Sequence, residues 1–342
     1  MWFEELFGFR ESSYEETRLR FVVEGRRLLS LTNERSFWIG EFATPKLAEL
    51  RSEGRALVRP GAIRVTHEVI GDVLELHALP ENQGALFQVA SQFNCLEFPG
   101  TSTTPEDGVS GYANDPTQGP ACSLAAAAAT VYRNYFVPLR GSEGQTRDNQ
   151  IDNLEDLAAA VGRPDEFWSV RNGYTFSTSE RLRALGDELK KHDREQLLGE
   201  VRIGLQHDVG VTFVDRFGQP EPGFEPMVSQ AFCSAVSCAY TPLGNSEWDS
   251  LARLVLEASY EATLWAAAIN ATRTEGSNRV WLTLLGGGAF GNDPEWIAAA
   301  IGLALRKLAK VDLDVHIAHY RRADPELESM IDRAALRGEG RP

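Results

Sequence analysis

The sequence predicts an α/β fold built on a central mixed sheet, and three observations carry that expectation. Strand-like and helix-like segments alternate through the second half of the chain. A strand, a glycine-rich turn and a helix start follow one another between Arg279 and about Leu308. Apolar residues make up 43% and charged residues 24% of the 342 residues, enough to bury a sizeable core in one enlarged domain or two.

In chain order, residues 1–62 read as a β-rich extension expected to pack on a core domain of 63–342. Arg20–Gly25 and Arg27–Leu31 flank a glycine in a hairpin pattern, Ser36–Phe42 reads as a further strand, and Pro45 opens a helix. Alternation predicts a strand from Ile63, a break at Gly71 and Asp72, and a short strand ending at Ala90. The loop from Glu97 to Gln118 is dense in Gly, Pro, Ser, Thr and Asp, and connections this long are often functional. Pro120 then predicts one alanine-rich helix to about Tyr135. Residues 139–205 read as a helical insertion, with helical spacing over Ile151–Val161 and Ser179–Lys191. Beyond it the pattern gives strands at Val209–Val214 and Met227–Tyr240, then a long helix over Asn245–Ala271. A strand at Arg279–Leu285, a helix at Pro294–Lys310, a strand at Val311–His319 and a helix at Pro325–Leu336 complete the chain.

The formal net charge of −15 opposes nucleic-acid phosphates and anionic lipid, so neither a direct nucleic-acid-binding surface nor a membrane partner is expected. An anionic small ligand is compatible with it, because backbone N–H groups at a helix start hold phosphate locally. The N-terminus lacks an apolar run of signal-peptide length, and a cytoplasmic location is expected. Cys95, Cys122, Cys233 and Cys238 form no C-x-x-C pair and read as buried free thiols. His316 and His319 lie three apart in a strand and face opposite ways, while His67 and His77 read as isolated. No metal or cofactor is expected. Glu257 and Glu261, four apart in the long helix, read as a solvated stripe.

The strongest local signal is VWLTLLGGGAFGNDPEWI at 280–297. Gly286, Gly287 and Gly288 let the backbone pass close to a ligand. Asn292 or Asp293 caps the next helix, Pro294 fits its first turn and Glu295 suits its positive end. The loop also satisfies G-x-G-x-x-G through Gly286, Gly288 and Gly291, but the context opposes a dinucleotide-binding Rossmann unit. Only about 50 residues follow, and Asp312 and Asp314 precede or begin the next strand instead of ending it. No G-x-S-x-G elbow or Walker A motif is present.

Three motifs in this order resemble the macrodomain family. They are Gly71-Asp72-Val73-Leu74 before a strand, Asn94 at the end of the strand segment 87–97, and the late loop ending in Ala289-Phe290-Gly291. The resemblance covers about residues 63–336 and implies a three-layer α/β/α fold with an ADP-ribose pocket across the top of its sheet. In that pocket Asp72 would accept a hydrogen bond from the adenine amino group, with Val73 nearby, and Asn94 would face the distal ribose. Gly286, Gly287, Gly288, Ala289, Phe290, Gly291 and Asn292 would wrap the diphosphate, with Phe290 beside the distal ribose. The implied partner is ADP-ribose or an ADP-ribosylated substrate, and the implied activities are binding and hydrolysis of the ADP-ribosyl linkage. A non-catalytic reader and a nucleotide-dependent enzyme of another α/β family are the alternatives.

One departure concerns the first phosphate loop. The family carries a glycine run soon after the asparagine, whereas here the loop from Phe98 to Gln118 lacks it. The segment from Asp115 to Pro120, including Gln118 and Gly119, is the expected substitute at the next helix start. Asn94, Asp115 and Gln118 are the candidate catalytic residues, and Glu97 is either a general base or a cap or surface acid.

Overall fold

Seven strands form the central sheet of the computed structural model, which describes every residue except 59, 217, 222 and 337–342. They are β1 (Glu41–Ala43), β2 (Ile63–Ile70), β3 (Leu86–Ala90), β4 (Gly204–Gly210), β5 (Met227–Cys233), β6 (Arg279–Leu282) and β7 (Leu313–Tyr320). Their spatial order is β1-β4-β5-β3-β6-β7-β2. The run β5, β3, β6, β7, β2 is parallel, whereas β4 is antiparallel to both its neighbours. All five parallel strands therefore end on the same edge, and the candidate ligand site is assembled there.

Side-chain alternation divides the interior into two cores. Leu86, Val280, Leu282 and Val315 enter one, while Phe87, Val89, Phe232 and Trp281 enter the other. The first is covered by α1 (Leu47–Leu57), α4 (Asn245–Asn270), α5 (Pro294–Lys307) and α6 (Pro325–Leu336). The second is covered by α2 (Gln118–Ala125) and α3 (Ala127–Tyr135), together with the helix Trp2–Phe7. The architecture is thus three-layer α/β/α around a mixed, mostly parallel sheet. Ala125 to Ala129 are all fully buried, since methyl side chains let α2 and α3 lie close on the sheet.

Residues 1–62 contribute β1 to the sheet, α1 to one face, and a small antiparallel sheet of Phe21–Glu24, Arg27–Ser30 and Ser36–Trp38 to the other side. Phe3, Phe7 and Phe21 meet edge to face beneath it. Residues 139–205 supply the helices Glu155–Val161, Ser179–Leu189 and Arg194–Gly199 and the hairpin of Ser169–Arg171 with Tyr174–Phe176.

Several expectations are corrected. The single helix predicted to Tyr135 is two helices broken at Ala126, whose φ and ψ are −118° and 58°. Thr212 occupies the break: its N–H donates to the Ala125 carbonyl at 2.7 Å, and its hydroxyl accepts the Ala127 N–H at 2.9 Å. The strand predicted to Tyr240 ends at Cys233, and Cys238 begins a short 3₁₀ turn instead. All four cysteines are buried and free. Glu261 is no part of a solvated stripe: it is 3% exposed and held by Arg51 at 2.6 Å and Lys307 at 2.8 Å. Those two cations draw its carboxyl below the usual range against the effect of burial.

Candidate functional site

A cleft of about 750 Å³ opens along the C-terminal edge of the parallel strands. Its floor is made by the residues just after β3, β5 and β6, namely Ser91, Gln92, Ala235 and Thr283, and Arg321 follows β7 at its rim. Open α/β sheets place ligands at this edge, because the loops there diverge and the helix starts point N–H groups toward it.

The glycine loop forms one wall. Gly286 and Gly291 have φ of 76° and 70°, a region that side chains with a Cβ seldom adopt. Space is equally restrictive at Gly286, where a Cβ would stand 2.5 Å from the Ala235 Cβ. Asn292 closes the loop from behind, donating its side-chain amide to the Val236 carbonyl at 2.7 Å while its own N–H reaches the Gly286 carbonyl at 2.9 Å. Asp293 caps α5 by accepting the Glu295 N–H at 2.8 Å. Among the described residues no acceptor takes the N–H of Gly286, Gly288, Ala289 or Phe290. Gly288 has open space where a Cβ would go. The wall therefore offers unpaired backbone donors along a stretch where Gly286, Gly287 and Gly288 carry no side chain.

Asp115 to Pro120 form a second wall of the same cleft. The Asp115 carboxylate accepts both the N–H and the hydroxyl of Thr117, at 2.8 and 2.6 Å, which shapes the turn into α2. Gln118 accepts the Val73 N–H at 2.8 Å, and its amide nitrogen is buried with no partner among the described residues. Gly119 brings this wall against the backbone, since a Cβ there would meet the Ala90 carbonyl at 2.1 Å. A small cavity of about 30 Å³ adjoins, and both Val73 and Gln118 line it.

Between the walls lies Glu97, 2% exposed. Ser123 donates to its Oε2, the Arg133 guanidinium stands 3.9 Å from the same oxygen, and Oε1 has no partner among the described residues. Burial pushes this carboxyl up to about 7, opposed by Arg133 and Ser123. Arg133 is fully buried and donates to the Cys95 carbonyl, Gln206, Ser123 and Thr130 at 2.8–3.1 Å. It also lies over the Phe232 ring at 3.7 Å.

One end of the cleft is aromatic. Phe290 meets Tyr174 at 5.5 Å and Tyr240 at 5.6 Å between ring centroids. At another stretch of the rim Arg321 and Arg322 are exposed, and neither pairs with a carboxylate among the described residues.

Of the residues singled out from sequence, Gln118, Gly119, Asp115 and the run from Gly286 to Phe290 share this cleft. Gly291 and Asn292 shape the loop from outside it. Asn94 lines neither cavity: it is fully buried, accepting the Leu96 N–H at 3.1 Å and donating to Gln150 at 2.9 Å. Asp72 also lies outside both cavities, capping the turn at Leu74 and pairing with Arg216 at 2.7 Å. Tyr174, Tyr240, Arg321 and Arg322 went unmarked in the sequence. The strand-end rule would have found Arg321 and Arg322; nothing local marks Tyr174, which comes from the 139–205 segment.

One histidine differs from expectation, and His316 and His319 face opposite ways as expected. His67 is not isolated, because the parallel pairing of β2 and β7 sets its Nδ1 2.9 Å from Nε2 of His319. His316 faces the other way, stacked on Trp281 at 4.8 Å.

No family model and no curated protein matches the chain. Among solved structures, it is similar to poly(ADP-ribose) glycohydrolase from Deinococcus radiodurans in complex with ADP-ribose, at 15% identity and TM-score 0.48, covering 96% of this chain and 99% of that one. It is also similar to poly(ADP-ribose) glycohydrolase from Thermomonospora curvata, at 13% identity and TM-score 0.41, covering 94% and 97%. Likeness at this level carries no weight for activity, and the architecture above rests on the chain's own strand pairing.

Proposed function

We propose that the protein binds ADP-ribose, free or carried on a macromolecule, in the cleft at the C-terminal edge of the sheet. The observation that carries this reading is the meeting of two loops in one cleft. Gly286–Phe290, whose N–H groups at Gly286, Gly288, Ala289 and Phe290 are unpaired among the described residues, lines it together with Asp115–Pro120 at a helix start. A diphosphate between them is neutralised by backbone donors, and Arg321 and Arg322 add positive charge at the rim of an otherwise acidic protein. Phe290, Tyr174 and Tyr240 give one sugar or base an aromatic surface. Gln118 directs an unpaired amide toward the ribose between the walls. Asp72 and Val73 remain the proposed adenine side, where Asp72 reads the exocyclic amine if Arg216 yields. Asn94 acts there as a positioning residue, holding the turn that leads to Glu97.

Glu97 favours hydrolysis over a purely binding role. A carboxyl with a pKa near neutrality, in the lining of the cleft and with one buried oxygen unpartnered among the described residues, suits proton transfer. In this reading Glu97 protonates the leaving oxygen as the glycosidic C–O bond breaks. Water then adds to the sugar carbon, and its proton returns to Glu97. Asp115 and Gln118 hold that water.

Calorimetry with ADP-ribose tests the binding reading, with micromolar affinity expected and a loss of at least about tenfold, or ~1.4 kcal/mol, in Gly288→Glu. Equal affinity in that variant removes the site assignment. Release of ADP-ribose from an ADP-ribosylated protein, lost in Glu97→Gln while binding persists, tests the hydrolytic half; binding without release leaves a reader.

A further inference from the structure

His67, His319 and Glu328 form a cluster that the proposed ligand site does not use. His67 and His319 sit on adjacent parallel strands, with Ile317 opposite His67 and His319 opposite Val69, so both rings leave the same face of the sheet. That face is covered by α6, which supplies Glu328 and, one turn on, Asp332. The imidazole nitrogens His67 Nδ1 and His319 Nε2 approach to 2.9 Å, Glu328 Oε1 lies 3.8 Å from His319 Nε2, and all three ligand atoms lie within 4.8 Å of one another. Asp332 Oδ1 stands 3.4 Å from the remaining nitrogen of His67.

We propose that this cluster is a divalent transition-metal site, of the class that takes zinc, cobalt or nickel. Two imidazoles and one carboxylate converge at spacings that bracket the roughly 3.3 Å edge of a tetrahedral zinc site. Asp332 supplies the outer carboxylate that fixes the tautomer and orientation of a metal-bound histidine. Charge points the same way. Glu328 and Asp332 meet no lysine or arginine among the described residues, so two carboxylates face two imidazoles with no cation to balance them. Without an ion, moreover, two imidazole nitrogens in contact must share one proton, and His319 is 1% exposed with its Nδ1 lacking a partner among the described residues. Nitrogen donors exclude a magnesium or calcium preference. Three protein donors leave a fourth position for water. The ion would tie α6 to the sheet edge, beside the stretch of cleft that His319 also lines.

The test uses tag-free full-length protein stripped with EDTA. Titration with ZnCl₂ is expected to show about one equivalent bound at micromolar affinity or tighter, with a rise in thermal midpoint, and CoCl₂ is expected to give visible absorption bands of a tetrahedral ion. His67→Gln and Glu328→Gln, at side chains 15% and 29% exposed, are expected to weaken zinc binding at least about tenfold with unchanged circular dichroism. Absence of saturable zinc binding by the wild type below ~100 μM overturns the proposal. So does wild-type affinity in both variants, which puts the ion elsewhere. Should His67→Gln fail to fold, Glu328→Gln decides alone. None of these outcomes depends on whether the cleft takes ADP-ribose.

Discussion

Ser123 donates its hydroxyl proton to the Glu97 carboxylate at 2.5 Å, across 26 residues of chain and at the floor of the cleft. This contact, with Arg133 behind it, stabilises a negative charge that burial alone would exclude. The balance still favours the proton, and the Glu97 pKa stands near 7 against an ordinary value of 4.5.

A pH dependence of stability follows. Between about 4.5 and 7 the folded chain binds a proton at Glu97 that the unfolded chain has released, so the group's contribution falls as pH rises through that window. A shift of this size corresponds to roughly 3 kcal/mol. Glu97→Gln removes the penalty, so its stability relative to wild type should improve from pH 5 to pH 8 in urea unfolding. Parallel profiles for the two proteins would show that Glu97 titrates as an ordinary carboxylate.

Arg133 is the second partner in this cluster, and its removal should be costly. Arg133→Met leaves the Cys95 carbonyl and Gln206 without their donor and Glu97 without its countercharge, and is expected to cost about 3–5 kcal/mol. The Arg133→Met/Glu97→Gln pair should cost less than the sum of the single changes, because the buried charge disappears along with its partner. Additive denaturation midpoints would contradict the coupling.

The glycine loop separates folding from binding at two positions. Gly286→Ala places a Cβ 2.5 Å from Ala235 at a φ of 76° and should lower stability by about 1–3 kcal/mol. Gly288→Glu meets open space, so its melting temperature should stay close to wild type while ADP-ribose binding is lost. A reversed pattern in paired melting and calorimetry would mean that the loop is positioned otherwise.

The aromatic end of the cleft admits a finer comparison. Phe290→Ala should weaken ADP-ribose by about 0.5–1.5 kcal/mol, an amount typical of one aromatic contact. Tyr174→Phe keeps the ring but loses its bond to the Phe98 carbonyl at 2.7 Å, so stability should fall by about 1 kcal/mol with affinity nearly unchanged. An equal affinity loss in both variants, read by calorimetry, would place the ligand against the Tyr174 hydroxyl instead.

What the sequence determined by itself was local. Period and punctuation are properties of neighbouring residues, so the alternation of strands and helices could be read directly, as could the glycine turn before Pro294 and the final helix Pro325–Leu336. The break at Ala126 could not, because it depends on Thr212, 85 residues beyond Ala127, competing for the helix's own hydrogen bonds. The same holds for the chemistry. Glu97 reads equally as a general base or as a cap or surface acid until Ser123 and Arg133 reach it from the next helices. His67 reads as isolated until parallel pairing sets it against His319. Tyr174 has no motif at all and matters only because the hairpin places it beside Phe290. Period and punctuation therefore predicted the layers and marked both the glycine loop and Asp115–Pro120, while the cleft's titrating group and its aromatic end depend on contacts between distant segments that only tertiary packing creates.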